Sequence, residues 1–349
     1  MRYKLLGKSG LRVSEMCLGT MSIGEDWGWG ADLAESRKIF ETFATAGGNF
    51  VDTANKYTNG TSEKYTGEIV NLEREWWVVA TKYTLSMRDD DPNASGNHRK
   101  NMVQAVDASL KRLNLDYIDL LWVHAWDRHT PVEETMRALD DLVRSGRVLY
   151  IGVSDTPAWV VSRANTLAEL RGWTSFVGLQ IEYSLIQRTV ERALTPMAEA
   201  LDLAVLAWAP LGGGLLTGKY RKDNPKAEGT DSKRAGNNAF RAANKKNMEI
   251  VEKLCKIADK IGCTPAQLAM RWVADRPGVT IPLVGARTEA QIKDSLGYLD
   301  VTLDPKFAKQ LDDVSAVELG FPHDFLRNPE IMKVVYGANF DKIDDHRDR

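Results

Sequence analysis

The sequence predicts an α/β protein built as a (β/α)8 TIM barrel, with an N-terminal β-hairpin, a long loop after strand 7 and a C-terminal tail. Three observations lead there. Eight short apolar runs recur along the chain, most of them continuously apolar, as parallel strands covered on both faces are. Amphipathic segments separate them: Val132, Met136, Leu139 and Val143 recur at helical steps, and so do Met102, Val103, Val106, Leu110 and Leu113. The chain has 349 residues and is 43% hydrophobic, enough for one large barrel with a filled core. Residues 1–349 therefore read as a single domain, with the barrel at about 14–317 and the tail at 318–349.

Taken in order, "YKLLGKSGLRV" (3–13) is two short runs around a Lys-Ser-Gly turn, a hairpin over the barrel bottom. The strand runs are "EMCLGT" (15–20), "NFVDT" (49–53), "WWVVATK" (76–82), "IDLLWVH" (118–124), "VLYIGVS" (148–154), "FVGLQIE" (176–182), "LAVLAWA" (203–209) and "VTIPLVG" (279–285). After the seventh, residues 221–243 are polar and rich in Gly, Pro and Asn, a length that suits a functional loop. A doubly wound sheet would need a glycine-rich turn after an early strand, and "GWGADL" supplies only two of the three glycines.

Composition narrows the function. With 46 Lys and Arg against 48 Asp and Glu the formal charge is -2, which argues against a nucleic-acid partner. Cys17, Cys255 and Cys263 are scattered, with no pair spaced for a disulfide framework or zinc, and no metal site is expected. The N-terminus lacks the apolar run of a signal peptide and nothing is long enough to span a bilayer, so a cytoplasmic location is expected. "GGLLTGKY" (213–220) falls one residue short of a phosphate-loop motif, since Tyr220 stands where the magnesium-binding hydroxyl belongs.

In such a barrel the working groups sit where strands end and loops begin. Asp52 ends the second strand and Tyr57 follows on its loop. Lys82 ends the third and His124 the fourth. Singly, each has an ordinary explanation in packing or a solvated loop. Four at one edge of three successive strands form a set. Tyrosine, with a pKa of about 10, is a poor acid at neutral pH, and a nearby ammonium favours its phenolate. Asp52 can anchor Lys82, Lys82 can tune Tyr57, and His124 can orient a substrate oxygen. Such a set suits protonation of a carbonyl oxygen while hydride reaches the carbon. Hydride requires a cofactor. Later strand ends offer groups to hold one: Ser154 and Asp155, Gln180, and Trp208, whose indole can stack on a nicotinamide. The glycines of "GGGLLTGK" can let a pyrophosphate approach, and Arg287 can clamp a ribose phosphate. Trp27, Trp29, Tyr83 and Trp126 are candidate aromatic pocket walls beside Tyr57 and His124. A short-chain dehydrogenase is excluded because no tyrosine has lysine four residues later.

Over roughly residues 3 to 317 the sequence resembles the aldo-keto reductase family. "FVDTANKY", "ATK", "LLWVHAWD", "GVSD", "LQIEYSL", "APLGGGLLTGKY" and "VGARTEAQIKDSL" occur in the family's order with similar spacing. "GLLTGKY" and "GAR" look like the bacterial and channel-subunit-like branches. The resemblance implies a barrel that binds NADPH in an extended pose, a small-molecule carbonyl substrate, and a tetrad of Asp52, Tyr57, Lys82 and His124 with Tyr57 as general acid. It implies that Asp52, Thr20 and Met21 lie at the nicotinamide side, with Ser154, Asp155 and Gln180 on its amide and Trp208 on the ring. Ala209, Pro210, Leu211, Gly212, Gly213 and Lys219 would line the pyrophosphate. Gly285, Arg287, Gln291, Asp294 and Ser295 would meet the adenosine end. Many members have Asn at 155, Ser at 209 and Asn at 295, where this chain has Asp155, Ala209 and Ser295. The fold also admits an NADP(H)-binding accessory protein, against which the intact tetrad argues. The number of subunits is left open.

Overall fold

The computed structural model describes residues 1–219, 241 and 244–344. The loop expected at 221–243 lies, apart from Arg241, outside the described residues. Strands β1 (Tyr3–Leu5) and β2 (Arg12–Ser14) form the expected antiparallel hairpin. Eight parallel strands then close a barrel: β3 (Cys17–Gly19), β4 (Phe50–Asp52), β5 (Val78–Tyr83), β6 (Ile118–Val123), β7 (Val148–Ser154), β8 (Gly178–Glu182), β9 (Ala204–Trp208) and β10 (Thr280–Gly285). Each strand pairs with its neighbour in sequence, and β10 closes on β3. All eight coincide with the apolar runs to within three residues at either end.

Helices return the chain between strands: α1 (Leu33–Thr45), α2 (Thr61–Val70), α3 (Arg99–Leu113), α4 (Val132–Arg144), α5 (Ala158–Arg171) and α6 (Leu194–Ala200). Beyond β9 come α7 (Lys245–Ile261), α8 (Pro265–Ala274), α9 (Glu289–Leu296) and α10 (Pro305–Ser315). Their ends follow local chemistry. Thr264 and Gln267 satisfy each other's backbone donors in a capping box ahead of α8, with Pro265 at the first turn. Asn114 stops α3 in the left-handed region. Short exposed helices form the tail beyond residue 322. Among the described residues no helix is long and apolar enough to cross a membrane.

The core has two shells, and strand alternation assigns residues between them. Val51, Val79, Leu121, Val123, Leu179, Val205 and Ala207 point out, beneath the helices. Phe50, Val78, Ala80, Leu120, Trp122, Ala204 and Leu206 point into the barrel. Leu6 and Val13 of the hairpin join that inner cluster, fully buried, so the hairpin stoppers the bottom of the barrel. Burying each such side chain is worth roughly 1.5–3 kcal/mol. The inward parity continues through Asp52, Lys82, His124, Ser154, Gln180 and Trp208, which brings six strand-end side chains to one mouth.

Candidate active site

Asp52 and Lys82 are fully buried inside the barrel mouth and form an ion pair. The Lys82 ammonium has three N–H bonds, and all three are committed. One goes to Asp52 Oδ2, one to the Thr53 carbonyl at 2.9 Å and one to the Tyr57 hydroxyl at 3.0 Å. Its Nζ also lies 4.6 Å from the centre of the Tyr57 ring. Tyr57 opens a short turn, Tyr57–Gly60, in which Thr58 and Asn59 adopt positive φ. Its oxygen accepts from Lys82, so its own proton is free to donate elsewhere. The His124 ring meets Tyr57 edge-on with centroids 5.9 Å apart, and His124 Nδ1 is buried without a hydrogen-bond partner.

Burial disfavours the Lys82 ammonium, but the Asp52 carboxylate and the Tyr57 oxygen outweigh it and hold its pKa above the ordinary value. Burial also pushes the Tyr57 phenol up; the Lys82 charge opposes that rise without overcoming it. This corrects the expectation that Lys82 makes Tyr57 more acidic overall. The lysine counteracts a desolvation that the sequence could not disclose, and the resting phenol keeps its proton. Burial, and secondarily the Lys82 charge, push the His124 imidazole down to about 3, so it is neutral over the physiological range.

The acid of the set has a further partner that the sequence did not suggest. Gln180 donates from Nε2 to Asp52 Oδ1 at 3.0 Å, across the barrel from β8 to β4. Asp52 thus takes a donor on each oxygen, and Gln180 keeps its own carbonyl oxygen for another group. Asn55, between Asp52 and Tyr57, is also buried at the mouth with an unpartnered Oδ1. Only its polarity inside an otherwise buried turn could have flagged it.

The remaining candidates spread along the rim. Thr20 is fully buried: its amide donates to the Asp52 carbonyl at 2.9 Å and its hydroxyl contacts Ser62 at 2.8 Å, while Met21 beside it is exposed. Ser154 is buried opposite Gln180 in the ladder. Asp155 and Ala209, each just past a strand end, have φ of 42° and 49°, a conformation costly for side chains with a Cβ. Asp155 accepts from the Trp208 indole at 3.1 Å, fixing that ring at the mouth. Pro210 and Leu211 lead into Gly212, Gly213 and Gly214, which turn the chain at φ of 58°, 70° and 99°. The amides of Gly212 and Gly214 already donate to Ala209 and Leu211, so these glycines offer bare backbone for close approach rather than free donors. Lys219 stands beside this turn, its Nζ 3.6 Å from where a Gly214 Cβ would lie.

Gly285 ends β10, and the following turn is pinned by the Arg287 amide donating to Gln291 Oε1 at 2.8 Å. Ser295 is buried on α9, while Asp294 accepts from Gln267 at 3.1 Å and so faces α8. Trp27 and Trp29 touch each other on the loop after β3, with centroids 5.8 Å apart and planes at 47°. Trp126 is half-buried, with its amide donating to the Asp155 carbonyl at 3.4 Å. Tyr83 is a correction: it is 1% exposed and belongs to the outer shell. Because Lys82 points into the barrel, its neighbour must point out beneath the helices, away from the mouth.

A model of the aldo/keto reductase family matches residues 15–316. The chain is 37% identical to a norsolorinic acid reductase of Aspergillus flavus, over 93% of this chain and 84% of that protein. It is 35% identical to an aryl-alcohol dehydrogenase [NADP(+)] of Phanerodontia chrysosporium, over 95% and 91%. It is 33% identical to an aryl-alcohol dehydrogenase of Pestalotiopsis microspora, over 96% and 89%. These relatives are fungal, and the expected placement in the bacterial and channel-subunit-like branches is not supported.

Proposed function

The chain belongs to the aldo/keto reductase family of oxidoreductases, and from that premise we propose that it is an NADPH-dependent reductase of aromatic aldehydes or ketones. One observation carries the mechanism. All three Lys82 donors are spent within the protein, which leaves the Tyr57 hydroxyl as the proton that the buried cluster can give away. Tyr57 is the general acid. Asp52 and Gln180 hold Lys82 in place, and neutral His124 steers the carbonyl oxygen toward the phenol. As the substrate oxygen gains negative charge, the fixed ammonium behind Tyr57 stabilises the phenolate left after proton transfer.

Nicotinamide, when bound, supplies the hydride. The residues at the mouth fit it. Gln180 has a carbonyl oxygen to spare for a carboxamide, beside Ser154 and Asp155, and Trp208 presents a fixed ring. The bare turn at 209–213 with Lys219 suits the pyrophosphate. Arg287, with Gly285, Gln291, Asp294 and Ser295, suits a phosphorylated adenosine end. The aromatic preference rests on Trp27 and Trp29, which touch each other, and on the names of two relatives as aryl-alcohol dehydrogenases.

A fluorescence titration with NADPH and NADH, followed by a carbonyl panel, tests the proposal. Arg287→Ala should weaken NADPH by about tenfold or more and leave NADH nearly unchanged. Equal losses would remove Arg287 from that role. Trp27→Ala should raise KM several-fold, about one stacking contact, for aromatic aldehydes only. A matching rise for aliphatic ones would argue against an aromatic wall.

A further inference from the structure

A histidine that orients a substrate must itself be oriented, and a hydrogen bond to its second ring nitrogen usually does this. His124 lacks that bond at Nδ1. Its ring is placed instead by its backbone and by the edge contact with Tyr57. The question is what holds the backbone.

Thr84 follows the last residue of β5 and has φ of 99°. For a β-branched residue that is a true outlier, and such strain persists only where the surroundings impose it. Glycine would adopt this backbone freely, but it has no hydroxyl. The ladder between β5 and β6 ends at Tyr83 and Val123. One residue on, the His124 amide donates to the Thr84 hydroxyl oxygen at 3.3 Å. The Thr84 carbonyl takes the Gly96 amide at 2.8 Å. A side chain thus extends the pairing by one bond, at the residue whose ring serves the site.

The hydroxyl is itself fixed by Asn97, which is fully buried. Asn97 donates from Nδ2 to the Ala125 carbonyl at 3.1 Å, so its Oδ1 is the acceptor turned to Thr84, at 2.7 Å. The Thr84 proton is spent there, and its lone pairs face the His124 amide. Asn97 is anchored in turn, its amide donating to Asp127 Oδ2 at 3.0 Å. Two side chains from the loop after β5 therefore hold the chain at 124 and at 125.

We infer that Thr84 and Asn97 are positioning residues for His124: the Thr84 hydroxyl, fixed by Asn97, sets the backbone from which the imidazole reaches the mouth. They act through His124, so the inference rests on His124 steering the carbonyl in the reduction proposed above.

Three variants and one exchange measurement test it. Thr84→Gly keeps the turn and removes the hydroxyl; Thr84→Ser keeps both. With Thr84→Gly, kcat for the carbonyl should fall about tenfold while NADPH binds within about twofold, and Thr84→Ser should recover most of the loss. Beside His124→Gln, Thr84→Gly should cost the residual turnover nothing further. Full turnover by Thr84→Gly overturns the inference, as does a loss that Thr84→Ser shares or that persists beside His124→Gln. Backbone amide exchange needs no turnover. In the unsubstituted protein and in Thr84→Ser, the His124 amide should exchange as slowly as the ladder amides of β6. Fast exchange at that amide overturns the inference even if Thr84→Gly does not fold. If the unsubstituted protein reduces no carbonyl, the proposed reduction fails instead, and amide exchange alone decides whether Thr84 holds His124.

Discussion

At the scale of single residues, the site works by exhausting alternatives. Lys82 has all three donors engaged, and on the proposed reading the proton therefore falls to Tyr57. Asp52, Tyr57, Lys82 and His124 were legible in the sequence because each breaks an apolar run at a strand end or just beyond it. Tyr83 was misread for want of one step of alternation. The direction of the Tyr57 shift was hidden because burial is a property of the fold. His124 carries a consequence for acid stability. An unfolded histidine takes up a proton near pH 6.5, but His124 does so only at about 3. Between those values the unfolded chain binds more protons, so stability present above pH 6.5 is lost as pH falls through that window. His124→Gln should therefore show a smaller fall in Tm from about pH 6.5 to pH 4 than the unsubstituted protein. Parallel curves would mean that the imidazole is solvated and titrates normally.

At the scale of elements, the strands were readable because continuous apolar runs of this length have few alternatives in a chain with regular helical spacers. Close contacts between elements were not. Gly67 sits within α2, where glycine is normally a defect worth about 1 kcal/mol. A Cβ there would lie 2.1 Å from the Leu113 carbonyl oxygen at the end of α3. Asn71 fastens the same junction, donating to the Gly67 carbonyl at 2.8 Å and to the Leu113 carbonyl at 3.1 Å. Gly67→Ala should accordingly destabilise the protein, by about 1–3 kcal/mol, instead of strengthening the helix. A raised Tm would show that the two helices can part freely. The contact reaches the site, because α2 also carries Glu63, buried against Thr81 at 2.6 Å and Arg112 at 2.6 Å, one residue from Lys82. The turn at Gly212–Gly214 teaches the same lesson: its glycines were visible, but the internal use of two of their amides was not.

At the scale of the molecule, barrel closure makes the site. Asp52, Lys82, His124 and Gln180 come from four strands and meet because all share inward parity at the same end. The hairpin stoppers the other end with Leu6 and Val13, leaving the mouth as the open face. Sequence periodicity gave the number of strands and the order of motifs. It could not give the Gln180–Asp52 bridge across 128 residues, or the packing of the Trp122 indole against Gly152 and Gly178. The central claim is that the Tyr57 hydroxyl, with Lys82 fixed behind it, delivers the proton. The measurement that tests it most directly is NADPH consumption by Tyr57→Phe with the best carbonyl of the panel, beside a NADPH titration of the same variant. The rate should fall about a hundred- to ten-thousandfold with the titration unchanged. A variant that binds NADPH and still turns over at nearly the full rate would contradict it.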